Sequence, residues 1–188
     1  MRIATVTIEG VSPYGQSKFI GEKKSRDETF EDFEDRVWRE RCHYNEKTKE
    51  CFIPPMCFKN ALRDAAQYKS EKIPGEGNAK WTKHFKSGVM VVDGLPLHVK
   101  RDDVAKTTLH VPSDGRTGGT KRVIKHFPTF HEWGGDVKFL VLDDKITTEV
   151  FERFVKDMGS FIGIGFFRPT NGGYWGRFEV KKVTWTQG

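Results

Sequence analysis

The sequence predicts an α+β fold, on three observations. It opens with a period-2 strand, its amphipathic helical stretches are few, and several short strand-like runs lie between them without the strict alternation of a doubly wound sheet. The 188 residues suit one domain spanning 1–188, which at this size buries roughly 70% of its unfolded surface and needs no staples.

Residues 2–9 alternate Ile3, Thr5 and Thr7 with Ala4, Val6 and Ile8, as in a strand with one buried face, and Gly10 ends it. Residues 12–26 are polar, basic and glycine-containing, a long loop. Thr29, with Asp32 three residues on, marks a helix start. Phe30, Phe33 and Val37 then form an apolar stripe that runs to about Arg41. Its acids come early and Arg36, Arg39 and Arg41 late, the order a helix dipole favours. Residues 51–53 read as a strand stopped by Pro54, and Pro55 opens a second helix to about Tyr68 that buries Met56, Ala61, Leu62, Ala65 and Ala66.

Residues 71–87 hold Pro74, Gly75 and Gly77, then Trp81 and Phe85 among lysines, and read as an exposed, basic, partly helical excursion. Strands are expected at 89–92, 95–99, 107–111, 122–127 and 137–142, with a second exposed basic loop at 113–120 beside Lys121, Arg122 and Lys125. Thr147 or Thr148 caps a third helix that turns Val150, Phe151, Phe154, Val155 and Met158 inward and closes at Gly159. A last strand covers 177–186.

The charge is +6, from 32 Lys plus Arg against 26 Asp plus Glu, a moderate bias that suits a polyanionic partner. Cys42, Cys51 and Cys57 form an odd set without a CxxC pair or a zinc spacing, which argues for a reducing compartment and unpaired thiols. No signal peptide and no membrane-length apolar run are visible, so a soluble, cytoplasmic protein is expected. No cofactor or metal site is expected.

The segment 163–178 crowds glycines, aromatics, Arg168 and Arg177 into sixteen residues. Glycines expose N–H groups to anions, arginine forks match phosphate, and aromatic rings stack on bases. Gly172, Gly173, Trp175, Arg168 and Arg177 are therefore candidate nucleic-acid contacts, as are Lys121, Arg122 and Lys125. A helix precedes these glycines and a strand follows, which excludes a dinucleotide fingerprint. At 52–63 a strand turns directly into a helix N-terminus, a place where free N–H groups receive phosphate, and Lys59 and Arg63 share one helical face.

The run Ile53-Pro54-x-x-x-Phe58-Lys59-x-Ala61-Leu62-Arg63 resembles the signature of the RAMP superfamily, the ferredoxin-like RNA-binding subunits of CRISPR effector complexes. The glycine-rich segment resembles that superfamily's glycine-rich loop, and the first strand ending in Gly10 sits where the family has its first strand and glycine. Pro55, Met56 and Asn60 depart from the family's usual Gly, Ser and Gly. The resemblance implies a ferredoxin-like, modified RRM sheet packed by helices, with Gly10, Lys59, Arg63, Arg168 and Arg177 near a bound single strand. It also implies that 113–120 acts as a projecting hairpin and that the protein self-associates along the strand. The chain is similar in character to small bacteriophage proteins as well, which would place it in the host cytoplasm.

Together these readings favour a non-catalytic binder of single-stranded RNA or DNA, RNA first. No HExxH, GxSxG or P-loop is present. The acidic pairs Asp102-Asp103 and Asp143-Asp144 more commonly cap turns than bind metal. The resemblance offers one catalytic alternative, a metal-independent endoribonuclease with His43 as general acid or base and Lys59 facing the phosphorane. A third reading is a protein partner, with Trp81, Trp133 and Trp175 as loop-borne anchors.

Overall fold

Residues 1–113 and 121–188 are described by a computed structural model. In chain order the first elements are β1 (Arg2–Gly10), β2 (Tyr14–Gly15), α1 (Phe30–Val37) with a 3-10 turn Trp38–Arg41, β3 (Glu50–Ile53) and α2 (Pro55–Lys69). Next come α3 (Thr82–Ser87), β4 (Val89–Val91), β5 (Leu95–Lys100), β6 (Ala105–Pro112), β7 (Arg122–Phe130) and β8 (Gly134–Val141). The chain ends with α4 (Thr148–Asp157), a π turn Met158–Ile162 and β9 (Phe178–Gln187).

β1 lies inside a four-stranded sheet of order β4-β8-β1-β9, with every neighbouring pair antiparallel. The paths β1-α2-β4 and β8-α4-β9 each cross over one intervening strand. Two interleaved split βαβ units of this kind make a ferredoxin-like core. The expected α+β class and its ferredoxin-like form are both present. The sheet buries Ala4, Val6 and Ile8 with Val137, Phe139 and Val141 against α2 and α4. Ala61, Ala65 and Ala66 bring the α2 backbone close to the sheet. Phe58, Phe151 and Phe154 fill the remaining space, each contributing about 1.5–3 kcal/mol by burial. The other strands belong to insertions, a β2-β7-β6 sheet and a β3-β5 pair.

Several expectations are corrected. Phe30 is 75% exposed. The inner side of α1 and its 3-10 turn carries Glu34, Val37, Trp38 and Arg41 instead. Arg41 forks onto Glu34 through two 2.9 Å bonds and donates to the His126 carbonyl at 3.0 Å, so a buried ion pair joins Val37 on the inner side where Phe30 was expected. Met56 is exposed in the first turn of α2, and Phe58 takes the inward place. Residues 71–87 are not a wholly exposed excursion: their lysines face water, but Trp81 is 4% exposed and Phe85 packs at a tilt against Phe154, ring centroids 4.6 Å apart. Trp133 is buried as well, against Gly10, where a Cβ would lie 2.3 Å from its ring nitrogen. Neither tryptophan is available as a surface anchor. The third helix does not close at Gly159 but widens into the π turn and stops at Gly163, whose φ is 67°.

His84 Nδ1 meets Asp143 Oδ2 at 2.6 Å beneath β4. Burial pushes the Asp143 carboxyl up, but the bonds from His84 and the Lys145 N–H outweigh it, and the net shift is downward. A carboxyl depressed in the folded state stabilises above its unfolded pKa and loses that contribution as pH falls through the folded value. Acid denaturation below about pH 4 is therefore expected to be less steep in Asp143→Asn than in wild type. Equal acid limbs in parallel melts would contradict this.

Candidate nucleic-acid interface

The glycine-rich segment leaves the π turn and folds back on β2. Phe166 N–H donates to the Gly15 carbonyl at 2.9 Å and Gly176 N–H to Pro13 at 2.7 Å. Trp175 N–H closes onto Phe167 and Gly173 N–H onto Arg168. A Cβ on Gly173 would sit 1.9 Å from the Phe167 carbonyl oxygen, so glycine there serves this fold-back. Gly172, with φ 78°, has open space around it. Trp175 is 5% exposed and packed edge-on against Phe166 and Phe167, and it offers no free face to a base.

Three clefts share Ser17 in their linings, and two of them lie beside this segment. The first, of about 320 Å³, is lined by Gln16, His43, Cys57, Asn60, Arg168 and Asn171. The second, about 980 Å³, lies between the β6–β7 arms and the glycine segment, lined by Arg41, His110, Arg122, Lys125, Phe167 and Gly172 among others. It shares Phe166 and Asn171 with the first. Among the described residues it has no carboxylate in its lining. The third, about 890 Å³, is more apolar, with Phe19, Phe30, Phe33 and Ile124, and its charged lining mixes Lys18 and Lys121 with Glu22, Glu31 and Glu34.

The fold thus gathers Arg168, Gly172, Lys121, Arg122 and Lys125 around connected clefts. Arg63 joins them indirectly: it bonds Asp64 Oδ1 at 2.6 Å and Asn60 at 3.2 Å, while Arg168 holds Asp64 Oδ2 at 3.0 Å. One carboxylate thereby sets two guanidinium groups beside the first cleft. Lys59 goes elsewhere, donating to the carbonyls of Phe85 at 2.8 Å and Lys86 at 2.7 Å. Burial, and then Arg63, lower its pKa. Arg177 also lies outside the clefts, with Nε on the Ser160 carbonyl. The 113–120 loop lies outside the described residues apart from Ser113.

His43 reaches the first cleft because Gln16 accepts from its N–H at 2.5 Å and donates to the Phe52 carbonyl at 2.9 Å. Burial and nearby Lys18 lower the imidazole pKa, which favours the neutral ring at neutral pH. Lys59 is not in that cleft, so the pair expected for a nuclease is not assembled. Burial raises the Cys57 thiol and, with Cys57 itself, the Tyr14 phenol, so neither supplies an anion. Among the described residues no cluster of three His, Cys, Asp or Glu is suited to a metal ion, and no helix is long and apolar enough to cross a membrane.

Sequence reasoning missed Gln16, Asp64, His110 and Asn171. Asn171 sits within the glycine segment and was legible there. The other three owe their roles to contacts far apart in sequence.

No family model matches the sequence, and no curated protein does. Solved structures do match. One is a chain in the cryo-EM structure of the Type III-B Cmr-beta bound to cognate target RNA, with a TM-score of 0.50 and 12% identity over 99% of this chain. The fold is like that of this Cmr-beta chain. The present chain spans 61% of the length of that Cmr-beta chain. Cmr6 from Pyrococcus furiosus matches with a TM-score of 0.47 and 13% identity, over 96% of this chain and 99% of Cmr6. A CRISPR protein from Archaeoglobus fulgidus gives 0.42 and 12%, over 100% of this chain and 65% of that one.

Proposed function

We propose that this chain binds single-stranded RNA along the connected clefts and does not cut it. The observation that carries this reading is the second cleft, whose described lining holds Arg122, Lys125, His110 and Arg41 with no carboxylate. Arg41 is neutralised by Glu34, so Arg122 and Lys125 supply the field that would attract phosphate. Arg168 and Arg63 share the single carboxylate of Asp64 beside the first cleft, and the net positive charge of that trio continues the cationic track. The RAMP-like fold supports the same reading, since the matching Cmr-beta structure is one bound to target RNA. A bound strand would pass the glycine segment at Gly172, where open space lets a backbone approach.

Anisotropy of labelled single-stranded RNA, single-stranded DNA and duplex DNA against salt tests the proposal, with a gel of the same RNA. Salt-dependent binding of single strands with intact RNA is the expected result, and RNA is expected to bind more tightly than DNA. His43→Ala is expected to leave the gel unchanged, because Lys59, the partner a nuclease would need, is bound to the end of α3 instead. Cleavage by wild type that His43→Ala abolishes would replace this reading with a nuclease. Complexes whose stoichiometry rises with strand length would add assembly along the RNA.

A further inference from the structure

The π turn after α4 places an aromatic ring where regular helix geometry would not. Under α periodicity residue 161 falls beside Phe154, seven residues earlier, on the inner face. The wider turn swings Phe161 outward, to 47% exposure, while Ile162 fills the core. Gly159 permits this, because a Cβ there would lie 2.2 Å from the Phe178 carbonyl oxygen. Across from it, Tyr68 at the end of α2 is 62% exposed, and the two rings stack at 5.7 Å with planes 24° apart. Two large aromatic side chains are thus ordered against each other in water with their outer faces uncovered.

One face of α2 leads from the first cleft to this pair. Asn60, Asp64 and Tyr68 are spaced by four and share one face of α2. Asn60 lines the first cleft, Asp64 carries Arg63 and Arg168, and Tyr68 is one turn beyond. On the other side Arg177 Nε is held by the carbonyl of Ser160, next to Phe161. Among the described residues, the Arg177 Nη atoms make no hydrogen bond. Arg63 and Arg168 share Asp64 one turn before Tyr68, Lys69 beside Tyr68 pairs with Asp157, and Arg177 is held next to Phe161. Exposed rings bordered by positive charge fit a nucleotide, whose base offers a π face and whose phosphate offers the anion.

We propose that Tyr68 and Phe161 form a stacking platform for an unpaired base of single-stranded RNA leaving the first cleft, with Arg177 on its phosphate. The proposal rests on the RNA-binding reading and adds a base contact to it. Stacking tolerates any base, so the platform confers affinity without sequence preference.

The test measures anisotropy of oligo(A) RNA and of a strand of equal length with abasic positions, using the full chain. Tyr68→Ala/Phe161→Ala is expected to weaken oligo(A) binding about 5- to 150-fold with an unchanged salt slope, and to bind the abasic strand as wild type does. Tyr68→Phe and Phe161→Tyr retain affinity. Arg177→Ala flattens the salt slope by about 0.7. If thermal melting shows the double variant to be misfolded, Tyr68→Gln on the exposed face of α2 takes its place. Wild-type affinity for oligo(A) in the alanine variant, or equal losses on both strands, overturns the platform and leaves the RNA reading standing. Failure of wild type to bind any strand overturns both.

Discussion

Arg122→Ala/Lys125→Ala is expected to lower affinity for single-stranded RNA by about 100-fold or more, since charge-assisted bonds contribute about 1.5–3 kcal/mol each. The slope of log affinity against log salt should flatten by about 1.4, two phosphate contacts at about 0.7 each on a single strand. The fold should be unaffected. Arg122 is exposed and its one described bond is to the His110 carbonyl across the β6–β7 ladder, while Lys125 is half-buried at the cleft wall. Lys59→Ala makes the informative control, because Lys59 is bound to the end of α3 and should leave the salt slope as it was. An unchanged slope in the double variant, or a larger effect at Lys59, would move the interface off the second cleft.

Arg41→Met should be the most destabilising single change near the clefts. Both partners of the Arg41–Glu34 pair are about 9% exposed in their side chains, so truncation strands a carboxylate away from water. Removing one member of such a pair typically costs about 3–5 kcal/mol, which in a chain of this size lowers Tm by roughly 6–20 °C. Glu34→Leu/Arg41→Met should recover most of that loss, because an apolar pair of similar volume needs no counter-charge. Some deficit should remain from the lost bond to the His126 carbonyl, made at 3.0 Å in wild type. A single variant that melts within about 2 °C of wild type would mean that water reaches Glu34.

The elements fixed by local pattern were legible in the sequence. The alternation in β1, the Thr29–Asp32 capping box and Pro55 at the start of α2 are all present as expected. The glycine segment was also recognisable, since glycine and aromatic side chains together imply tight turns. Illegible features arise from contacts between distant parts of the chain. Trp175 is buried because Gly15 approaches it so closely that a Cβ would lie 2.7 Å from the indole. Lys59 and Arg63 share a helical face, yet only the placement of α3 decides that Lys59 caps its carbonyls. Glu34 and Arg41 read as surface in any hydrophobicity pattern, because a buried ion pair is apolar only as a unit. Phe161 gives no sign of the π turn that exposes it, since the cause lies in the crowding of Gly159 by β9.

The position of β1 also governs the order in which the molecule can be completed during translation. Its register joins Arg2 to Val141 on one side and to Gln187 on the other. A ribosome adding about 5–20 residues per second therefore leaves β1 without either neighbour for several seconds or longer, and β9 follows later still than β8. Through that interval an apolar strand with two unpaired edges is open to pairing with other chains. Late-closing sheets of this kind fold slowly, because distant segments must meet before any ladder forms. Yield in the cell should then respond to chaperone supply and temperature more than the equilibrium stability of the finished protein would suggest.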